Sequence, residues 1–259
     1  MNRLDSRVLS SLVLLGISTP TAYAIDHSNL DEGRPLQLED PYPIAAGEIA
    51  VEAGLGFTLE RRNEDRGFFP IQVLYGAYPN WQLGMGTTLS TDPRAIDEQE
   101  RSGDLNLEAL YNFNQETLNL PALGVKLDLG LPTGVDSSGT DVSLTGLVTK
   151  SFGHLSLHAN GGYAFLSGED PGERDGRYEI ILGATYPIGA PHYTRLTVLG
   201  DLFTKQSGAR GESNIAGAEV GLRYQLTYRA VLDAGLGSEF AGPADRSSFY
   251  LATGLSIGF

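Results

Sequence analysis

The chain has 259 residues, room for one large domain, and a net charge of −14 with no cysteine. That charge leaves no basic stripe to displace counterions, which argues against a nucleic-acid partner, and the missing thiols exclude a disulfide framework and a thiolate metal site. Glycine, at 33 residues, is about twice as frequent as usual, and no run approaches the ~18 apolar residues of a membrane helix.

Residues 1–24 read as a secretory signal peptide. Arg3 and Arg7 give a basic start, residues 9–17 an apolar core, and Ala22 and Ala24 a small-x-small cleavage site. Residues 25–46 carry Pro35, Pro41 and Pro43 among several acids and show neither the helical nor the strand period. This irregular lead-in either stays on the periplasmic side or folds back into a lumen as a small plug.

From Gly47 apolar residues recur at every second position. Ile49, Val51, Ala53, Leu55, Phe57 and Leu59 share one face of a first strand, with Glu48, Glu52, Gly54, Gly56 and Glu60 on the other. The same alternation predicts strands around 71–77, 81–89, 105–113, 123–131, 142–149, 155–165, 178–186, 196–202, 216–224 and 230–239. A last strand runs from Phe249 to Phe259. Short turns near 79, 153, 189 and 227, with a longer one at 114–120, alternate with polar loops near 64, 97, 136, 171, 208 and 243. The expected fold is all-β: an antiparallel transmembrane β-barrel of about twelve strands over residues 47–259, with short periplasmic turns, in the outer membrane of a Gram-negative bacterium.

Aromatic positions sort by strand end. Trp81, Tyr111, Phe113, Phe152, Tyr186, Tyr193, Tyr224 and Tyr228 fall beside the periplasmic turns; Phe57, Phe69, Phe165, Tyr178, Phe203, Phe240 and Phe249 fall near the other rim. Two such girdles fit the two membrane interfaces. Phe259 at the carboxyl terminus resembles the last residue of bacterial outer-membrane barrels, where it belongs to the signal read by the assembly machinery.

The inner face carries the chemistry. A barrel of about twelve strands has a diameter of roughly 24 Å, and glycines at inward positions leave space for small solutes or else serve curvature and aromatic neighbours. The expected lumen-lining residues are Glu52, Glu108, Lys126, Asp128, His158, Arg195, Glu219, Arg223 and Asp233, with Glu179, Asp201 and Glu239 as further inward acids. Glu108 with Lys126, and Arg223 with Asp233, are expected ion pairs, while Glu52 stands uncompensated between glycines. An acidic lining favours cations and neutral solutes over anions. Ser156 and His158 share a strand face but project in parallel with no supporting acid, so no catalytic residue is assigned. His154 and His158 have no third ligand, so no metal or cofactor is expected.

Residues 33–40 (Gly33 to Asp40) followed by 47–52 resemble the opening of the MetA-pathway phenol-degradation family of outer-membrane transporters. Residues 121–134 and 153–163 are similar to its central segments. The resemblance implies an outer-membrane barrel admitting small molecules, with hydrophobic or aromatic compounds as one class, and supplies no catalytic residues. The alternatives are a lipid-acting outer-membrane enzyme using Ser156, and a structural or adhesive barrel with no transport role. The partners expected are outer-membrane lipids, the assembly machinery and a small-molecule solute.

Overall fold

The computed structural model describes residues 26–30, 34–61, 65–91, 103–135, 137–167, 171–189, 192, 194–244 and 246–259. The signal segment 1–24, most of the polar loop at 91–103, and Tyr193 lie outside them. Twelve strands form one antiparallel sheet: β1 (Ile49–Glu60), β2 (Arg66–Tyr78), β3 (Trp81–Ser90), β4 (Leu105–Asn114), β5 (Ala122–Leu131), β6 (Asp141–Phe152), β7 (Leu155–Phe165), β8 (Gly176–Ile188), β9 (Leu196–Lys205), β10 (Ile215–Thr227), β11 (Ala230–Ala241) and β12 (Ser247–Gly258). Each strand pairs with its neighbours in sequence, and β12 returns to β1 to close the cylinder. At that seam Glu52 faces Ser256, Gly54 faces Gly254, and the Phe259 amide donates to the Ile49 carbonyl at 2.9 Å. Closure removes both sheet edges, so every ladder has a partner.

Side-chain alternation explains why the cylinder sits in lipid. The outward rows remain exposed and apolar: Leu55, Leu83, Leu127, Leu144, Leu182, Leu202, Val220 and Leu236 belong to them. Packed inside a soluble protein these residues would be covered; here hydrocarbon covers them. Two-residue turns at 79–80, 153–154 and 228–229 mark the end assigned to the periplasm. Asn80 takes a positive φ of 68° in the first of them, a conformation its short polar side chain tolerates. Trp81 and Tyr111 stack with ring centroids 4.7 Å apart, and Phe113 meets Tyr111 edge-on at 5.1 Å, so this girdle is built of touching rings.

One aromatic departs from the expected girdle. Phe203 lies on the inward parity of β9 and is buried, packed with Leu30, Leu36, Leu38, Ile181 and Leu199. The inner wall therefore has an apolar patch, and its partners come from the segment ahead of β1.

The described residues of that segment, 26–30 and 34–44, lie inside the cylinder. His27 meets Thr197 and Gln225 at the periplasmic ends of β9 and β10. The chain then rises until Gln37 reaches Glu219 and Leu38 packs over Gly183 on β8. It descends again past Asn112, which donates to the Pro41 carbonyl at 2.9 Å, to Ile44, whose amide donates to Gln82, and so into β1. Both limbs of this loop open toward the same end. Asp40 ties its neck, accepting from the amides of Leu30 and Tyr42, each at 2.9 Å.

Candidate functional site: the lumen and the segment within it

The loop carries its own charges to charges on the wall. Arg34 Nη2 is 2.5 Å from Glu52 Oε2, and Nη1 donates to the Ala53 carbonyl at 3.0 Å and lies 3.6 Å from Asp233. Glu39 meets Lys126 at 2.8 Å, while its amide and carbonyl are held by the Asn160 side chain. Gln37 donates to Glu219 from its amide at 2.7 Å and from its side chain at 2.8 Å. Each contact supplies a donor or countercharge that the buried wall group requires. Leu30, Leu36 and Leu38 add apolar burial, about 1.5–3 kcal/mol apiece. Burial pushes the Asp40 carboxyl up to about 7, against the two amides and the charge of Arg223, which lower it.

The expected lumen residues fall into four sets. Glu52, Lys126, Glu219 and Asp233 are buried on the inner wall in contact with the loop. Arg223 is buried directly opposite Asp233 in the β10–β11 register. Glu108, Asp128 and His158 also lie on the inner parity of their strands and meet other wall residues. Glu108 accepts from Gln82 at 3.0 Å, and Asp128 faces it across β4–β5 and sits 3.7 Å from Lys126. Arg195 is different: it precedes β9, exposed at the periplasmic end, where its carbonyl accepts from the Gln225 amide.

Two pairing expectations are corrected. Register places Asp128 opposite Glu108, and Lys126 opposite Leu110, so Lys126 turns to Glu39 on the loop. Glu52 is flanked by Gln72 and Ser256, not by glycines, and Arg34 supplies its countercharge. Arg34, Gln37 and Glu39 as wall partners, and Asp40 as the tie of the loop's neck, escape a sequence reading because an irregular segment has no period from which to read a facing direction. The only available signal was the stretch 33–40, whose family resemblance covers all four.

His158 is a buried crosspiece, its Nδ1 2.9 Å from Thr149 Oγ1 and its Nε2 3.1 Å from Thr185 Oγ1. Both ring nitrogens are thus engaged, and Ser156 contacts Ser151 at 3.0 Å across β6–β7. Neither is arranged to activate the other.

The inward glycines have two separate uses. A Cβ at Gly183 would stand 2.4 Å from Leu38, at Gly235 2.4 Å from the Pro35 carbonyl, at Gly124 2.7 Å from Pro41, and at Gly76 2.0 Å from the Ala45 carbonyl. These are the floor on which the loop rests. Others, Gly56 beneath Phe68 and Gly237 beneath Tyr250, accept aromatic rings. Toward the other mouth the inner wall carries more acids than bases: Glu108 stands opposite Asp128 and Glu179 opposite Lys205 in the register, and Glu239 lies 3.9 Å from Lys205. Only a crevice with room for about one water lies between Gln37 and Glu39 of the loop and Thr145, Asn160, Glu179 and Ile181 of the wall.

Solved structures place this architecture among outer-membrane channels and porins. The COG4313 outer membrane channel from Pseudomonas putida F1 superposes with a TM-score of 0.65 at 15% identity, over 89% of this chain and 100% of that one. The NanC porin gives 0.60 at 13% identity, over 80% of this chain and 98% of its own, and the KdgM porin 0.51 at 11%, over 80% and 99%. At such identities the likeness is one of fold. None of the curated protein sequences matches the chain. Residues 32–250, from just ahead of Arg34 in the loop to Tyr250 in the closing strand, match one family along their whole length, and the chain belongs to it: "Putative MetA-pathway of phenol degradation".

Proposed function

We propose that this barrel is an outer-membrane channel for small molecules, preferring neutral and cationic solutes, whose periplasmic half is occluded by residues 26–46 acting as a plug. The observation that carries the reading is the seating of that loop. It is held by polar contacts that water can replace, on a glycine floor shaped to receive it, in a cylinder whose closed wall needs no such filling to satisfy its backbone. Acids toward the other mouth disfavour anions, and the family's description supports aromatic compounds as one solute class. Residues 1–24 serve as the export signal, the strand ending at Phe259 is recognised by the assembly machinery, and the outward apolar band contacts outer-membrane lipids.

Reconstitution in liposomes tests this directly. Full-length barrel is expected to pass small aromatic solutes slowly, and a variant lacking residues 26–46 is expected to pass them and small cations faster. If neither protein admits ions or small aromatics, the channel reading fails. A hydrolase reading is not favoured, because His158 is held by two threonines and Ser156 by Ser151.

A further inference from the structure

The apex of the plug rests on two carboxyl groups that face each other. Glu219 on β10 and Asp201 on β9 are direct register partners, both on the inner face. Glu219 is saturated with donors: the Gln37 amide reaches one oxygen, and the Gln37 side chain and the Tyr250 hydroxyl reach the other. Asp201 is 6% exposed, and among the described residues no donor reaches either of its oxygens. The polar group within hydrogen-bonding reach of it is the Glu219 carboxyl. Apolar side chains pack on one side of it, with Leu38 over Gly183, the register partner of Asp201 on β8, and Ile181, Leu199 and Phe203 in the same cluster as Leu38. Two carboxylates are both acceptors and form no hydrogen bond, whereas a carboxylic acid donates strongly to a carboxylate. A buried acid without a donor is neutralised more readily than it is kept bare.

We infer that Asp201 and Glu219 share one proton, donated from Asp201, and that this proton latches the plug apex in the lumen. When Asp201 loses it to hydroxide, two negative charges face each other and the apex leaves, admitting water to the ionised carboxyl. Its functional consequence rests on the occlusion reading above. Tyr250 on β12 reaches Glu219 directly, and the other charged or titratable groups on the elements packed around the pair are Arg177 and Glu179 on β8, Lys205 on β9, Arg223 on β10, Asp233 and Glu239 on β11, and Glu39 and Asp40 on the plug. Lys205 stands opposite Glu179 in the register and 3.9 Å from Glu239.

The absence of native cysteine makes the test clean. Leu36, 2% exposed in the seated plug, is replaced by Cys in full-length protein folded into liposomes. Maleimide labelling is measured relative to an exposed Ser28→Cys protein, so the pH dependence of the thiol itself cancels. Heat-modifiable gel mobility confirms that each barrel is folded. Asp40→Asn is present throughout, removing the other carboxyl at the neck of the plug. Across roughly pH 5–9 the labelling ratio is expected to rise, by at most about tenfold per pH unit for one proton. With Asp201→Asn added it is expected to stay low and flat, because the amide N–H donates toward Glu219 and has no proton to lose in this range. A flat ratio without Asp201→Asn, or a rise that Asp201→Asn leaves intact, overturns the latch. Conductance of the same proteins separates the two claims: labelling that obeys Asp201 while conductance does not move supports the latch and defeats the occlusion reading.

Discussion

Arg34 joins a segment that precedes the barrel to two strands of its wall, with Glu52 on β1 at 2.5 Å and Asp233 on β11 at 3.6 Å. All three residues are buried, so one plug side chain answers the charge of two wall acids on either side of the β1–β12 seam. Arg34 also fills the space left by Gly54 and Gly254, where added Cβ atoms would stand 2.7 and 2.2 Å from its side chain.

Removing that guanidinium strands the acids. Arg34→Met is expected to weaken plug seating by about 3–5 kcal/mol, the usual cost of breaking one side of a buried pair, and to raise single-channel conductance in planar bilayers. Adding Glu52→Gln should recover part of the loss, since the remaining partner no longer carries an uncompensated charge. Equal effects of the single and double variants would show that the pair does not hold the plug.

Bulk on the glycine floor tests the same seating without touching charge. Gly235→Val meets the Pro35 carbonyl and the Leu36 side chain, whereas Gly161 has nothing within 4 Å of an added Cβ. The first substitution should expose residues 26–46 to protease in liposomes that present the periplasmic end. Gly161→Ala should leave them protected.

Protonation at the neck has a calculable sign. The Asp40 carboxyl titrates at about 7 when the plug is seated, above its ordinary 3.8. Its contribution to seating is therefore complete below about pH 3.8 and is lost as pH rises through about 7. The slope is at most ~1.4 kcal/mol per pH unit for one proton. Hydrogen-exchange protection of residues 26–46, corrected for intrinsic rates, should fall over that window, and Asp40→Asn should flatten the fall.

The lipid-facing assignment predicts a contrast in folding energy. Leu182, 58% exposed in the middle of β8, should cost ~2–4 kcal/mol when replaced by Arg. Leu118, 95% exposed in the turn between β4 and β5, should tolerate the same change with little loss, because its side chain lies beyond the strands. Urea-dependent folding into phospholipid vesicles measures both.

The wall was legible because a period of two is written into every strand. Leu182 outside and Ile181 inside follow from parity alone, and the turns at 79–80 and 153–154 carry their own chemistry. Parity gives facing direction but neither register nor depth, which is why Lys126 was assigned to Glu108 when its partner is Glu39. Phe203 was placed in a rim girdle from its position near a strand end, although its odd number put it on the inner face beside Thr197 and Asp201. The plug was the least legible part. Its contacts reach strands more than a hundred residues away, from Glu39 to Asn160 and from Gln37 to Glu219, and no local pattern encodes a meeting at that separation.

Because both limbs of the plug open toward the periplasmic mouth, no free end need be threaded through the cylinder to seat or extract it. Tension applied at His27 itself would peel contacts one after another, first Thr197, then Arg34 with its two acids, then the apex at Glu219. Sequential rupture requires far less peak force than dislodging the whole loop at once. A modest pull from the periplasm would thus suffice to draw the plug while the cylinder, bonded all the way round, stays intact.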